Sequence, residues 1–133
     1  MPLNTETTPR TWLWAGRVLS GLFVAFMIFD VSIKLLELEI VKQTLTDLGY
    51  PPHLGRVIGG VEAICLALYL TPRTSALGAV LMTAVMGGAI ASHMRQEAPL
   101  FSHTLFGVYL GLLMWGGLFL RDARLRSLFP IRR

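Results

Sequence analysis

The 133-residue chain is 53% hydrophobic and only 15% charged, with a formal net charge of +4. Soluble domains carry about 25% charged residues, so this composition favours the lipid bilayer over a soluble fold. The basic residues lie at the ends of apolar segments and at the C-terminus, as membrane topology requires, which argues against nucleic acid as a partner. Cys65 is the only cysteine, which excludes an internal disulfide and a C-x-x-C redox pair. We expect one membrane domain over residues 1–133.

Four apolar segments follow one another along the chain, and a membrane-spanning helix needs roughly 20 such residues. They cover about residues 12–36, 56–71, 75–94 and 101–120. The polar N-terminus lacks the basic start and cleavage site of a secretory signal, so we expect the first segment to be retained. The predicted fold is all-α, an integral membrane four-helix transmembrane bundle.

The connection between the first two segments has an amphipathic pattern. Val41, Leu45 and Leu48 recur at spacings of four and three residues, which predicts a short interfacial helix in the outer loop. Gly49 is placed to end this helix, and two prolines follow it. The alternative is that these residues extend the first segment.

The distribution of Lys and Arg predicts the orientation. If both termini share one side, that side holds eight basic residues and the other holds four. The first group is Arg10, Arg17, Arg73, Arg121, Arg124, Arg126, Arg132 and Arg133, and the second is Lys34, Lys42, Arg56 and Arg95. The side richer in Lys and Arg faces the cytoplasm, so we expect a multi-pass protein with both termini cytoplasmic.

Ionisable residues within the apolar segments fall near one level of the predicted bundle. Asp30, Glu62, His93 and His103 all lie towards the outer side of this threading. Charge at membrane depth is costly, so such residues usually face the bundle interior, pair with one another and mark a functional site. We therefore predict a polar pocket near the outer leaflet.

Each residue of the predicted pocket also has a local interpretation. Asp30 and Lys34, four residues apart, can neutralise each other. His103 can cap the fourth segment, and His93 and Arg95 can belong to an interfacial turn. Glu62 lies about two turns inside its segment and requires a partner such as Lys34, Arg95 or a histidine. Whether that pairing is structural or catalytic is open from the sequence.

Small residues at four-residue spacing predict where helices approach closely in lipid. We expect three such stripes to face partner helices. They are Gly55 and Gly59; Ala79, Thr83, Gly87 and Ala91; and Gly107 and Gly111. Glu62 lies close to the first stripe and His103 shares the last, so both are expected to face inward.

Three stretches make the sequence recognisable. They are RVLSGLFVAFMIFDVSIKLL, LGYPPHLGRVIGGVEAICLALYLTPRTSALGAVLMTAVMGGAIASHMR and FGVYLGLLMWGGLFLRDARLR. Over most of residues 16–130 the chain resembles the DoxX-like family of small four-helix bacterial membrane proteins. The resemblance implies a bacterial inner-membrane location. The family is named for a protein associated with a thiosulfate:quinone oxidoreductase, which implies a link to respiratory redox chemistry.

Two functional hypotheses follow. In the first, the chain is a redox-associated subunit that binds a quinone-like lipophilic molecule near the outer leaflet. Glu62, Asp30, His93 and His103 would exchange protons with it, while Arg95 or Lys34 would balance charge. The sequence has no haem, flavin or iron–sulfur motif, so the electrons would come from a redox protein partner.

In the second hypothesis, the chain is a non-catalytic binding or assembly partner of another membrane protein, or forms a homo-oligomer. The small-residue stripes fit such packing. A weaker third option is a metal site made from Asp30, Glu62, His93 and His103. The ligand types suit a metal, but no tight local spacing supports a site, so we assign none.

Overall fold

The computed structural model describes residues 8–129 and 131, so Arg132 and Arg133 of the basic tail lie outside the described residues. The described chain is helical, with six α-helices, one π-helical turn and no strand. In chain order these are α1 (Arg10–Leu35), α2 (Glu39–Asp47), α3 (Leu54–Leu70), α4 (Ser75–Arg95), the π-turn (Leu100–Thr104), α5 (Phe106–Arg121) and α6 (Ala123–Leu128).

Three stretches are long and apolar enough to cross a membrane. They are α1, α4 and the continuous stretch Leu100–Arg121 formed by the π-turn and α5. Helix α3 has 17 residues and is about 25 Å long at 1.5 Å per residue. It begins at Leu54, so it includes the two residues just before the predicted segment. Three of the four predicted segments therefore have the length and composition of membrane-spanning helices.

The four longest helices share one core. α1 packs against α3 and α5, and α4 packs against the same two helices. Phe23, Met82 and Met114 are fully buried between them. Helices α1 and α5 approach closely, since a Cβ placed on Gly117 would lie 2.7 Å from the backbone nitrogen of Ser20. Packing of this kind, through small residues, is what holds helices together in lipid.

Helix α2 confirms the amphipathic prediction. Val41, Leu45 and Leu48 are buried, and α2 packs against α3. The alternative of an extended first segment is wrong, because α1 ends at Leu35 and Glu37 then takes a left-handed φ of 52°. Gly49 follows α2 with φ 85°, so it ends the helix as predicted.

Two of the three predicted stripes face neighbouring helices. A Cβ on Gly55 would lie 3.0 Å from Val41, and one on Gly59 would lie 2.9 Å from the Cβ of Lys34. A Cβ on Gly107 would lie 3.0 Å from Ile90 of α4. The glycines of α3 and α5 therefore allow close helix contacts.

The predicted stripe on α4 is wrong at Gly87 and Ala91, which are exposed. Ala79 is buried, and Thr83 accepts from Trp115 Nε1 of α5 at 2.8 Å. The buried face of α4 instead carries Gly78, Ala79, Met82 and Met86. α4 is apolar on every side, so the spacing of its small residues does not reveal which face meets protein and which meets lipid.

Candidate functional site

Three charged side chains join α1 to α3. The ammonium of Lys34 lies 2.6 Å from Asp30 Oδ2, one turn earlier on α1, and 2.7 Å from Glu62 Oε1 on α3. Gly59 makes this contact reachable, because its missing side chain lets α3 approach the Lys34 Cβ. Lys34 is thus the partner that the sequence required for Glu62, and Asp30 shares it.

The Glu62 carboxylate is buried and only half satisfied. The residue is 5% exposed, and its Oε2 atom has no hydrogen-bond partner among the described residues. A buried acceptor that lacks a donor costs about 1–3 kcal/mol, and more when it is charged. One ammonium also faces two carboxylates here, so the cluster has an excess of acceptors and of negative charge.

The charged cluster lies in the wall of a cavity of about 620 Å³. α1, α2, α3, α4 and the beginning of α5 all contribute to its lining, which is mostly apolar. Asp30, Lys34, Glu62, His93 and His103 all line it. The structure therefore brings together five of the six residues that the sequence suggested. A largely apolar cavity of this size with a few convergent polar groups is typical of a small-molecule site.

The two histidines meet at this cavity. Their ring centres are 5.9 Å apart, with the ring planes at 64°. His103 belongs to the π-turn, and its Nδ1 lies 2.7 Å from Ser102 Oγ. Turns of this type often occur at functional sites, because they redirect a side chain relative to the following helix. His93 is half-buried and His103 is exposed.

Arg95 does not line the cavity. Its Nη2 atom donates to the Leu48 carbonyl at 2.6 Å, and its guanidinium lies 5.9 Å from the centre of the Tyr50 ring. Arg95 therefore fastens the loop after α2 to the end of α4.

Tyr50 and Ser92 reinforce that attachment and were missed by the sequence analysis. Their hydroxyl oxygens are 2.7 Å apart, and Ser92 donates to the Gly88 carbonyl at 2.8 Å. A serine hydroxyl has one proton, so Tyr50 is the donor in this pair. Both residues line the cavity. The LGYP stretch contained Tyr50, but no local spacing connected it to Ser92.

A second buried polar network lies outside the cavity. Tyr69 donates to the Met114 carbonyl at 2.8 Å, and its oxygen lies 2.8 Å from Ser20 Oγ. Arg121 donates to the same Ser20 oxygen at 2.9 Å. This network connects α1, α3 and α5. This network was not predicted, although Tyr69 near the end of an apolar segment was a usable signal.

The described residues contain no group of three or more His, Cys, Asp or Glu side chains arranged to hold a metal ion. Asp30, Glu62, His93 and His103 line one cavity without forming such a group.

Of three comparisons with known proteins, one gives a match. Neither the curated proteins nor the solved structures include a match to this chain. The model of the DoxX-like family matches residues 18–117, which is most of the chain and includes α3, α4, the whole cavity wall and most of α1 and α5. The chain therefore belongs to the DoxX-like family.

Proposed function

We propose that the chain is a multi-pass membrane protein that binds a quinone-like lipophilic molecule in the cavity beside Glu62. The observation that carries the proposal is a charged cluster, with one unsatisfied carboxylate oxygen, in the wall of an otherwise apolar cavity. Buried polar groups in a site of this composition are costly in lipid, where no solvent satisfies them. A ligand with an apolar body and a polar head would lower that cost.

The residues around the cavity divide into two roles under this proposal. Glu62 and Asp30, held by Lys34, form the polar end that contacts the ligand head group. His93 and His103 lie at the same cavity and can exchange protons with it, as quinone chemistry requires when electrons move. A redox protein partner would supply or accept the electrons. The cavity would lie near the outer leaflet of the inner membrane, with both termini in the cytoplasm.

The test is whether gently purified protein retains a quinone, measured by mass spectrometry of its extracted lipids. Gly88 and Gly87 offer a matched pair of variants. Gly88 lines the cavity, whereas Gly87 does not, and a Cβ at either meets no described neighbour within 4 Å. We expect Gly88→Leu to fill the cavity and lose the bound molecule, and Gly87→Leu to retain it. Wild-type protein that carries no quinone, and binds none when it is added, would refute the proposal.

A second candidate function is that of a non-catalytic partner of another membrane protein. The exposed small-residue surface of α4, formed by Thr83, Gly87 and Ala91, supports it, because such surfaces pack closely against helices in lipid. Gly87→Leu and Gly88→Leu also test this function, with the opposite expectation. Loss of a co-purifying membrane protein in Gly87→Leu but not in Gly88→Leu would favour assembly through α4.

A further inference from the structure

We infer that the cavity selects a neutral lipophilic molecule that presents a hydroxyl hydrogen-bond donor to Glu62. The inference rests on the proposed function, because it assumes that the cavity binds a ligand, and it specifies the head-group chemistry. For quinone-like molecules it means that the reduced hydroquinone binds more tightly than the quinone.

The argument starts from the two oxygens of Glu62. Oε1 accepts from Lys34 at 2.7 Å, whereas Oε2 is buried and has no donor among the described residues. The side chain is more than nine-tenths buried and lines the cavity. With Glu62 ionised beside Lys34, the missing group is a hydrogen-bond donor.

The hydroxyl groups of the cavity wall are committed elsewhere. Tyr50 donates to Ser92, and Ser92 donates to the Gly88 carbonyl at 2.8 Å. Thr44 donates to the Ile40 carbonyl at 2.8 Å. None of these three hydroxyls has a proton left for Glu62.

Lys34 makes a hydroxyl a better fit than a carbonyl or an ether. An ammonium has three N–H donors, and Asp30 and Glu62 take two of them in this structure. A ligand hydroxyl can donate to Glu62 and accept from Lys34, whereas a carbonyl or an ether oxygen can only accept. A cationic donor would also complement Glu62, but its transfer from water into a mostly apolar cavity is unfavourable.

The experiment compares two probes whose head-group oxygen carries either a proton or a methyl group. Full-length protein in lipid nanodiscs is titrated with 4-nonylphenol and with its methyl ether, 4-nonylanisole, and binding is measured from the protein's tryptophan fluorescence. We expect the phenol to bind about tenfold more tightly, because its hydroxyl would donate to the buried Oε2 atom of Glu62 and the ether oxygen could not. Binding of either probe can be measured without a redox protein partner.

Glu62→Gln provides the sharper prediction. Lys34 needs an acceptor, so the amide oxygen takes the place of Oε1 and the NH₂ group replaces Oε2. The variant then offers a donor where the wild type offers an acceptor, and we expect the preference for the phenol to disappear. Glu39→Gln makes the same chemical change on α2, at an exposed residue that does not line the cavity, and should keep the preference.

The outcomes separate the two proposals. Equal binding of the probes to wild-type protein, or tighter binding of the ether, would overturn the hydroxyl inference while leaving ligand binding in the cavity intact. Equal binding would mean that a water molecule or a proton already satisfies Oε2. Binding of neither probe, together with the absence of quinone, would overturn the proposed function. The wild-type comparison stands by itself if Glu62→Gln does not fold.

Discussion

Lys34 and Glu62 meet across the contact between α1 and α3, with 2.7 Å between Nζ and Oε1. The side chain of Lys34 is 21% exposed and that of Glu62 is 7% exposed, so both charged groups are largely buried in the protein. It is one of only three ion pairs among the described residues, and two of those three share Lys34. The charge balance of the cavity wall therefore depends on one side chain.

The first prediction is that Lys34→Met strongly destabilises the protein. The variant keeps the apolar stem but leaves the carboxylates of Asp30 and Glu62 without a cation. Removing one partner of a buried ion pair costs on the order of 3 kcal/mol, because the remaining charge is uncompensated. The free energy of unfolding can be measured by titration with a denaturing detergent. Lys42→Met is the control, since Lys42 forms no ion pair with any described residue. Equal stability of the two variants would contradict the role given to Lys34.

The candidate site shows what the sequence could and could not provide. The four-residue spacing of Asp30 and Lys34 predicted their contact, and the position of Glu62 beside Gly59 predicted its inward direction. The sequence left three kinds of partner open for Glu62. To identify Lys34 as the partner, one must know how α3 is rotated and how deep it lies relative to α1. Both depend on how closely Gly59 lets the two helices approach. Such contacts are tertiary and leave no local signature.

The same limit explains the error on α4 and the missed contacts. In a soluble helix, polar residues mark the exposed face, but the lipid-facing side of α4 is as apolar as its buried side. The contacts of Tyr50 with Ser92, and of His93 with His103, join residues from different elements. In contrast, α2 was predictable because it is amphipathic, and its end was marked by Gly49.

The second prediction concerns Glu97, which follows α4 with a left-handed φ of 52°. Side chains other than glycine pay about 1 kcal/mol for this conformation. The side chain of Glu97 is exposed and forms no ion pair with a described residue. We therefore expect Glu97→Gly to raise the free energy of unfolding by about 1 kcal/mol.

Glu37→Gly is the matched comparison for Glu97→Gly. Glu37 has the same φ of 52°, but it also contacts Arg56 at 3.5 Å. An exposed pair contributes about 0–1 kcal/mol, so part of the gain from glycine should be cancelled. A larger gain at residue 37 than at residue 97 would contradict this explanation.

The third prediction uses neighbouring glycines on α5. A Cβ on Gly117 would lie 2.7 Å from the Ser20 nitrogen and 2.9 Å from the Gly16 carbonyl, both of them backbone atoms that cannot easily move. A Cβ on Gly116 would meet Leu19 at an ordinary 3.5 Å. We expect Gly117→Ala to lower the free energy of unfolding by about 1–3 kcal/mol and Gly116→Ala to leave it unchanged or raise it. Similar losses in both variants would show that α1 and α5 do not cross at Gly117.

The last prediction is that α3 crosses the membrane although it has only 17 residues. Its length of about 25 Å falls short of the roughly 30 Å of a hydrocarbon core, but packing against α1 and α4 covers the side that carries Glu62. Reporter proteins fused after Tyr50 and after Thr71, on either side of α3, should therefore report opposite sides of the membrane. A reporter after Arg133 should lie in the cytoplasm, as the excess of basic residues on that side requires. The same side for Tyr50 and Thr71 would reduce the crossings to three, and a reporter after Arg133 outside the cytoplasm would place the cavity near the inner leaflet.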